Sequence, residues 1–136
     1  MPNLIVLDSH AVMVFLKRQP GEAEVAALFM RAANQEITLE MSAVNWGEVW
    51  YLLAREHGER IADDKTSALM QVPLQVVNVD WAMARQAAAF KAYGGISYAD
   101  CFTAALAKLR NAPLLTGEPE FKRFEKDIEI RWLKRR

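Results

Sequence analysis

Short apolar runs alternate with longer stretches of helical period along this chain. Leu4 to Leu7 (LIVL) is an apolar run that stops at Asp8, and its length and branched content predict a buried strand. Asp8 and Ser9 then open a helix running to about Lys17, which Gln19-Pro20-Gly21 ends. Residues 22–33 carry Val25, Leu28 and Phe29 on one helical face, and residues 36–40 (EITLE) predict a second strand. In residues 42–57, Trp46, Val49, Trp50 and Leu53 follow the i, i+3, i+4, i+7 spacing of a helix, with Gly58 as its C-cap. Residues 59–71 predict another helix and residues 74–79 (LQVVNV) a strand. An Ala-rich helix over 80–93 stops at Gly94-Gly95, and Ser97 opens a helix over 98–110. Residues 113–116 (PLLT) read as a short strand and residues 128–132 as a last edge strand.

Strands alternating with helices imply an α/β fold, with a central, mainly parallel sheet of about four to five short strands and helices on both faces. The 136 residues make one domain, with no internal repeat or linker. In open sheets of this kind, sites form beyond the carboxyl ends of the strands, so the residues following each strand carry the most information.

Composition narrows the function classes. Residues of the apolar set make up 52% and charged residues 25%, a soluble globular profile that excludes disorder as the main state. Seventeen basic residues balance seventeen acidic ones, so the molecule as a whole has no strong attraction for polyanions and any nucleic-acid contact must be local. The final RWLKRR carries four basic side chains, which fit either a solubilising end or a polyanion contact. Cys101 is the single cysteine, which excludes an intrachain disulfide and a Cys-rich zinc site. MPNLIVLD lacks a basic leader region, and the run Ala11 to Leu16 is far short of the ~20 residues that span a bilayer. The expectation is a cytoplasmic protein with no membrane contact.

Four carboxylates stand out by position. Asp8 ends the first strand, Asp100 lies in the first turn of its helix, Glu118 follows the strand before Gly117, and Glu48 lies inside the third helix. Asp8 also fits an N-cap, and Ser97-x-x-Asp100 has capping-box spacing. Val44, Tyr51 and Leu52 flank the Trp46–Leu53 stripe, so the Glu48 helix reads as apolar nearly all round and its carboxylate as buried. A buried carboxylate needs a cation, a partner or a proton. Arg55 is one candidate partner, a shared metal ion another, and Asn45 on the same face can orient Glu48 or bind substrate.

LIVLDSHAVMVFL, SAVNWGEVWYLL, ISYADCFTAALAK and PLLTGEPEF together resemble the PIN-domain ribonucleases, in particular the toxins of bacterial VapBC-type toxin–antitoxin modules. The resemblance covers nearly the whole chain, in the family's order, and implies a PIN-like three-layer α/β/α fold. It implies an endoribonuclease whose Asp8, Glu48, Asp100 and Glu118 gather round Mg²⁺ or Mn²⁺. Glu118 stands where the family more often has Asp in T-G-D-P-x-F. Carboxylates brought together repel unless a cation neutralises them, and hard oxygen donors suit those ions. Ser9 and Thr116 are candidates to touch the scissile phosphate. The resemblance also implies a small antitoxin partner, with an apolar segment docking near the site and an Arg approaching Asp8 or Asp100, and a homodimer formed through an apolar helix face. The alternative is a catalytically impaired PIN-fold RNA-binding or regulatory module, which the substituted Glu118 supports.

The remaining residues have plainer readings. His10 reads as a surface or supporting histidine, His57 as a neighbour of a helix C-terminus, Cys101 as a small core residue, and Trp46, Trp50 and Trp81 as core, with an interface the alternative for the chain's four tryptophans. Glu120 reads as a helix cap. Lys122, Arg123, Lys126, Lys134, Arg135 and Arg136 fit either solvated surface or contacts to an RNA backbone. Other strand-end aspartate families fit less well: a phosphoaspartyl phosphatase needs a second Asp where His10 stands, and a dinucleotide site needs glycines that DSHAVM lacks.

Overall fold

In the computed structural model, which describes residues 3–71 and 73–134, the LIVL run becomes the centre of a sheet. Strands β1 (Leu4–Leu7), β2 (Thr38–Ser42), β3 (Leu74–Val77), β4 (Leu114–Thr116) and β5 (Ile130–Trp132) lie in the order β3-β2-β1-β4-β5. Every pairing is parallel. Parallel neighbours need long crossovers, and helices supply them: α1 (Ser9–Leu16), α2 (Glu22–Ala33), α3 (Ala43–His57), α4 (Glu59–Leu69), α5 (Trp81–Ala92) and α6 (Tyr98–Arg110). A 3₁₀ turn, Pro119–Phe124, leads from β4 toward β5.

The two-residue period of each strand sends its side chains into separate cores. Ile5, Leu7, Leu39, Met41 and Leu115 pack against α1 to α4. Val6 and Leu114 pack on the other face against α5, α6 and the 3₁₀ turn. Seven consecutive α6 residues, Cys101 to Ala107, are buried, which makes α6 the central helix of its layer. This is the three-layer α/β/α arrangement expected. No helix among the described residues is long and apolar enough to cross a membrane.

Most element boundaries fall within two residues of the expected ones. The largest difference is β2, which occupies Thr38–Ser42 rather than 36–40. Met41 and Ser42 pair with Val76 and Val77 of β3, so a long-range partner carries the strand past the local EITLE pattern. Gly58 closes α3 at φ 92°, where a glycine is favoured. Trp46 and Trp50 are half-buried against the core, but Trp81 is 76% exposed, contrary to the core role expected of it. Trp81 is the first residue of α5, and the buried side of that helix is made by Met83 and Ala87.

One charge lies inside the sheet. Glu40 of β2 is buried, and Arg110 at the end of α6 donates from Nε to its Oε1 at 2.7 Å. Removing a partner from a buried pair leaves an uncompensated charge. Because Arg110 is itself half in solvent, Arg110→Ala should cost roughly 2 kcal/mol, less than a fully enclosed pair. Urea unfolding should show this loss, and should show most of it recovered when Glu40→Gln is added.

Candidate active site

All strands point the same way, so their carboxyl ends share one edge of the sheet. The chain runs from β1 outward through β2 to β3, then returns to place β4 on β1's other side. This switch point between β1 and β4 is where open α/β sheets form their crevice. Asp8 follows β1 and Gly117-Glu118 follows β4, so both stand at it.

Asp8 is 1% exposed. It caps α1 through Oδ1, which accepts from the Ala11 backbone N–H at 2.8 Å, and its Oδ2 accepts from the Thr116 hydroxyl at 2.5 Å. The cap and the site readings of Asp8 thus hold together, since each oxygen has a second lone pair to offer. Burial pushes the Asp8 carboxyl up to about 7, against the opposing hydrogen bonds from Thr116 and Ala11, and the Asp100 and Glu118 charges add to the rise. Asp100 is half-buried in the first turn of α6, whose N-cap, Ser97, accepts its N–H at 3.2 Å. Burial pushes Asp100 up to about 6, the Ser97 hydrogen bond opposes this, and the charges of Glu48, Glu118 and Glu120 add to it. Those mutual effects gather carboxylates from four separate segments into one field.

Glu48 is half-buried rather than buried, because α3 exposes Tyr51 beside it. Its partner is Ser9, whose hydroxyl donates to Oε1 at 2.7 Å; Arg55 instead lies over the Tyr51 ring at 4.7 Å. Asn45 is wholly buried: its Oδ1 accepts from Ser42 Oγ at 2.5 Å and its Nδ2 donates to the Ala99 carbonyl at 2.9 Å. It therefore ties the start of α3 to the start of α6 and makes no hydrogen bond to Glu48. Thr116 is equally enclosed, donating to Asp8 and accepting the Glu118 N–H at 3.0 Å, so its hydroxyl links the two strand ends of the site. Ser9 is 7% exposed and committed to Glu48.

Two residues have larger parts here than the sequence indicated. His10 Nδ1 lies 3.6 Å from Glu118 Oε1, and a Cβ at Gly117 would stand 2.8 Å from His10 Nε2. The His-Asp spacing and the glycine before Glu118 were the available signals. Glu120, expected as a helix cap, is exposed and bears on Asp100; Glu118 occupies the cap position of the 3₁₀ turn. Cys101 is a buried free thiol, as expected of a core residue. Lys122, Arg123, Lys126 and Lys134 are exposed, while Arg135 and Arg136 lie outside the described residues.

The donor set suits a hard divalent cation, being all oxygen. Among the described residues, however, no three His, Cys, Asp or Glu side chains stand close enough to form a ready-made cage.

The PIN domain family matches residues 5–127. The chain belongs to that family. No curated protein matches it. A chain of VapBC2 from Rickettsia felis, bound to a promoter DNA fragment, superposes with TM-score 0.78 at 14% identity, covering 96% of this chain and 99% of that one. A chain of DNA-bound VapBC from Salmonella typhimurium gives TM-score 0.76 at 17% identity, with 98% and 100% covered. VapC20 of Mycobacterium tuberculosis, a sarcin–ricin loop cleaving toxin, gives TM-score 0.61 at 19% identity, with 81% and 86% covered. The PIN architecture is thus shared across very different sequences.

The crowded carboxylates carry a stability cost with a definite pH dependence. Asp8 and Asp100 ionise near 3.8 in the unfolded chain but near 7 and 6 in the fold, so the folded state holds extra protons in between. Their contribution to stability is therefore fully present below about pH 4 and is lost as pH rises toward 7. With EDTA present, Asp100→Asn should melt like the parent at pH 4 and above it at pH 8. A gap that stays constant across that range, or reverses, would contradict the assignment.

Proposed function

We propose that this chain is a metal-dependent endoribonuclease, the toxin of a toxin–antitoxin pair. The observation that carries the reading is the convergence of Asp8, Glu48, Asp100 and Glu118, from separate elements, at the switch point of a PIN fold. Membership in the PIN family supports a nuclease, and the VapBC and VapC20 likenesses support RNA as substrate and a protein antitoxin as partner. Mg²⁺ or Mn²⁺, when bound, supplies Lewis-acid charge and a more acidic water for attack on a phosphodiester.

The chain's own residues prepare that site. Asp8 and Asp100 would hold the cation, with Glu48 beside them in a rotamer set by Ser9. The Thr116 hydroxyl holds Asp8 and at the same time steadies the backbone at Glu118. Asn45 keeps the Glu48 and Asp100 helices in register. Glu118, beside His10, acts at the edge of the cluster by orienting water rather than as a direct ligand. Asp100 and Glu118 are more open than Asp8, so an antitoxin Arg would pair with them, where bidentate pairing would compete with metal and substrate. Exposed Trp81 is available to a partner or a second copy in a homodimer.

Purified protein should cut RNA with Mg²⁺ or Mn²⁺ and stop in EDTA. Asp100→Asn should lose about 100-fold or more in rate with an unchanged circular dichroism spectrum. Cleavage undiminished in EDTA refutes metal dependence, and parent protein that binds RNA without cutting it supports the impaired-module alternative. Expression with its native gene neighbours should yield a copurifying small protein.

Glu118 gives a separate test. A carboxylate working through water tolerates a change of length, so Glu118→Asp should cut nearly as fast as the parent. Glu118→Gln removes the charge and should cost roughly 10-fold or more, the scale of other supporting groups around metals. A large loss in Glu118→Asp would instead mark a direct ligand.

A further inference from the structure

A PIN site faces an electrostatic difficulty, because its carboxylates repel the phosphates it must receive. The chain is neutral overall, so a local feature has to offset this. Such a feature is built from segments that adjoin the cluster along the chain. A hollow of about 680 Å³ opens between α5 and the 3₁₀ turn, lined among others by Phe90, Tyr93, Gly94, Gly95 and Arg123. Its size falls within the ~300–1,000 Å³ typical of small-ligand sites.

Its two walls are continuations of segments that carry carboxylates. Gly94-Gly95 leads through Ser97 to Asp100, and the turn that holds Arg123 starts directly after Glu118. Tyr93 closes α5 and is 93% exposed, an aromatic ring with its faces free. Phe90 is braced edge-on by Phe124 at 4.7 Å between ring centres, which gives the hollow a firm side. Arg123 has no ion pair among the described residues. Its guanidinium lies against Gly94, where a Cβ would stand only 2.6 Å from Nη1. Asp127 also lines the hollow, but it pairs with Lys108 at 3.6 Å, which leaves Arg123 as the uncompensated charge there.

We propose that this hollow is a nucleotide subsite flanking the cleavage position, where Tyr93 stacks on an unpaired RNA base and Arg123 holds the adjacent phosphate. The inference rests on the proposed RNA cleavage and specifies its substrate: single-stranded RNA with a base free to leave its neighbours. Bases splayed from loops or ends are read by aromatic stacking, and guanidinium matches a phosphate's oxygens. Ala89, Phe90, Ala92 and Phe124 also line the hollow, and the uncompensated Arg123 charge beside the exposed Tyr93 ring favours a phosphate-bearing nucleotide over an apolar peptide. A Cβ at Gly94 would push the Arg123 guanidinium aside, and one at Gly95 would project into open space.

Binding of a fluorescein-labelled single-stranded RNA oligonucleotide is measured by anisotropy on the Asp100→Asn chain, alongside cleavage by chains that retain Asp100. Tyr93→Ala and Arg123→Ala should each weaken binding about 10-fold. Tyr93→Phe should restore it. Arg60→Ala on α4 should change nothing. An oligonucleotide containing 2-aminopurine should lose fluorescence on binding, and should not in Tyr93→Ala. Both exposed side chains can be removed without opening a core, and melting curves check this. If the parent cuts RNA and the Tyr93 and Arg123 variants bind and cut equally well, the subsite is refuted while the ribonuclease reading stands. If those variants keep RNA binding but lose a copurifying protein, the hollow is a protein interface and the subsite is again refuted. A parent chain that neither binds nor cuts RNA refutes the ribonuclease reading and the subsite together.

Discussion

The placement of the Asp8 carboxylate constrains everything around it. A carboxylate shut away from water is costly unless its oxygens are met. Here the α1 backbone meets one oxygen and Thr116 of β4 the other. The same side chain thus starts a helix and joins β1 to β4 at their carboxyl ends, while its burial, with the Asp100 and Glu118 charges, pushes its carboxyl up to about 7. The neighbouring carboxylates bring more negative charge, the reverse of what stability alone would favour.

Around Asp8 the site is held by a small set of polar bonds between elements that are distant in sequence. Ser9 reaches Glu48, Thr116 reaches Asp8, and Asn45 reaches the Ala99 carbonyl. Each is buried or half-buried, where the loss of a partner leaves an unsatisfied group and the geometry is correspondingly well defined. The two apolar cores hold the sheet, while these bonds set where its carboxylates stand. Small residues on the sequence map, a Ser, a Thr and an Asn, therefore govern the geometry.

Much of the architecture was legible along the chain. The strand-ending Asp8, the Ser97 cap and the Gly58 stop are local signals, and local backbone chemistry suffices to produce them. Glu48 and Arg55 were misjudged because the helical stripe was read as complete, whereas Tyr51 turns out to solvent and takes Arg55 with it. Trp81 was misjudged for a related reason: aromatic character favours burial on average, but a helix's first residue need not face the core. The polarity of Asn45 and Thr116 is visible in the sequence, while their burial and their bonds to Ala99 and Asp8 are not.

By itself the sequence determined the order and kind of the elements, the two-faced strands that demand a layer of helices on each side, and the set of acidic residues available for chemistry. These follow from periodicity, capping and turn chemistry, which act over a few residues. Only the tertiary structure decided which carboxylates meet, which hydroxyls and amides are spent on holding them, and that Arg123 and Tyr93 stand beside Asp100's helix. Those outcomes depend on the strand order β3-β2-β1-β4-β5, which brings residue 8 beside residue 116. A contact across that span of chain is set by the packing of whole layers, and no local pattern encodes it.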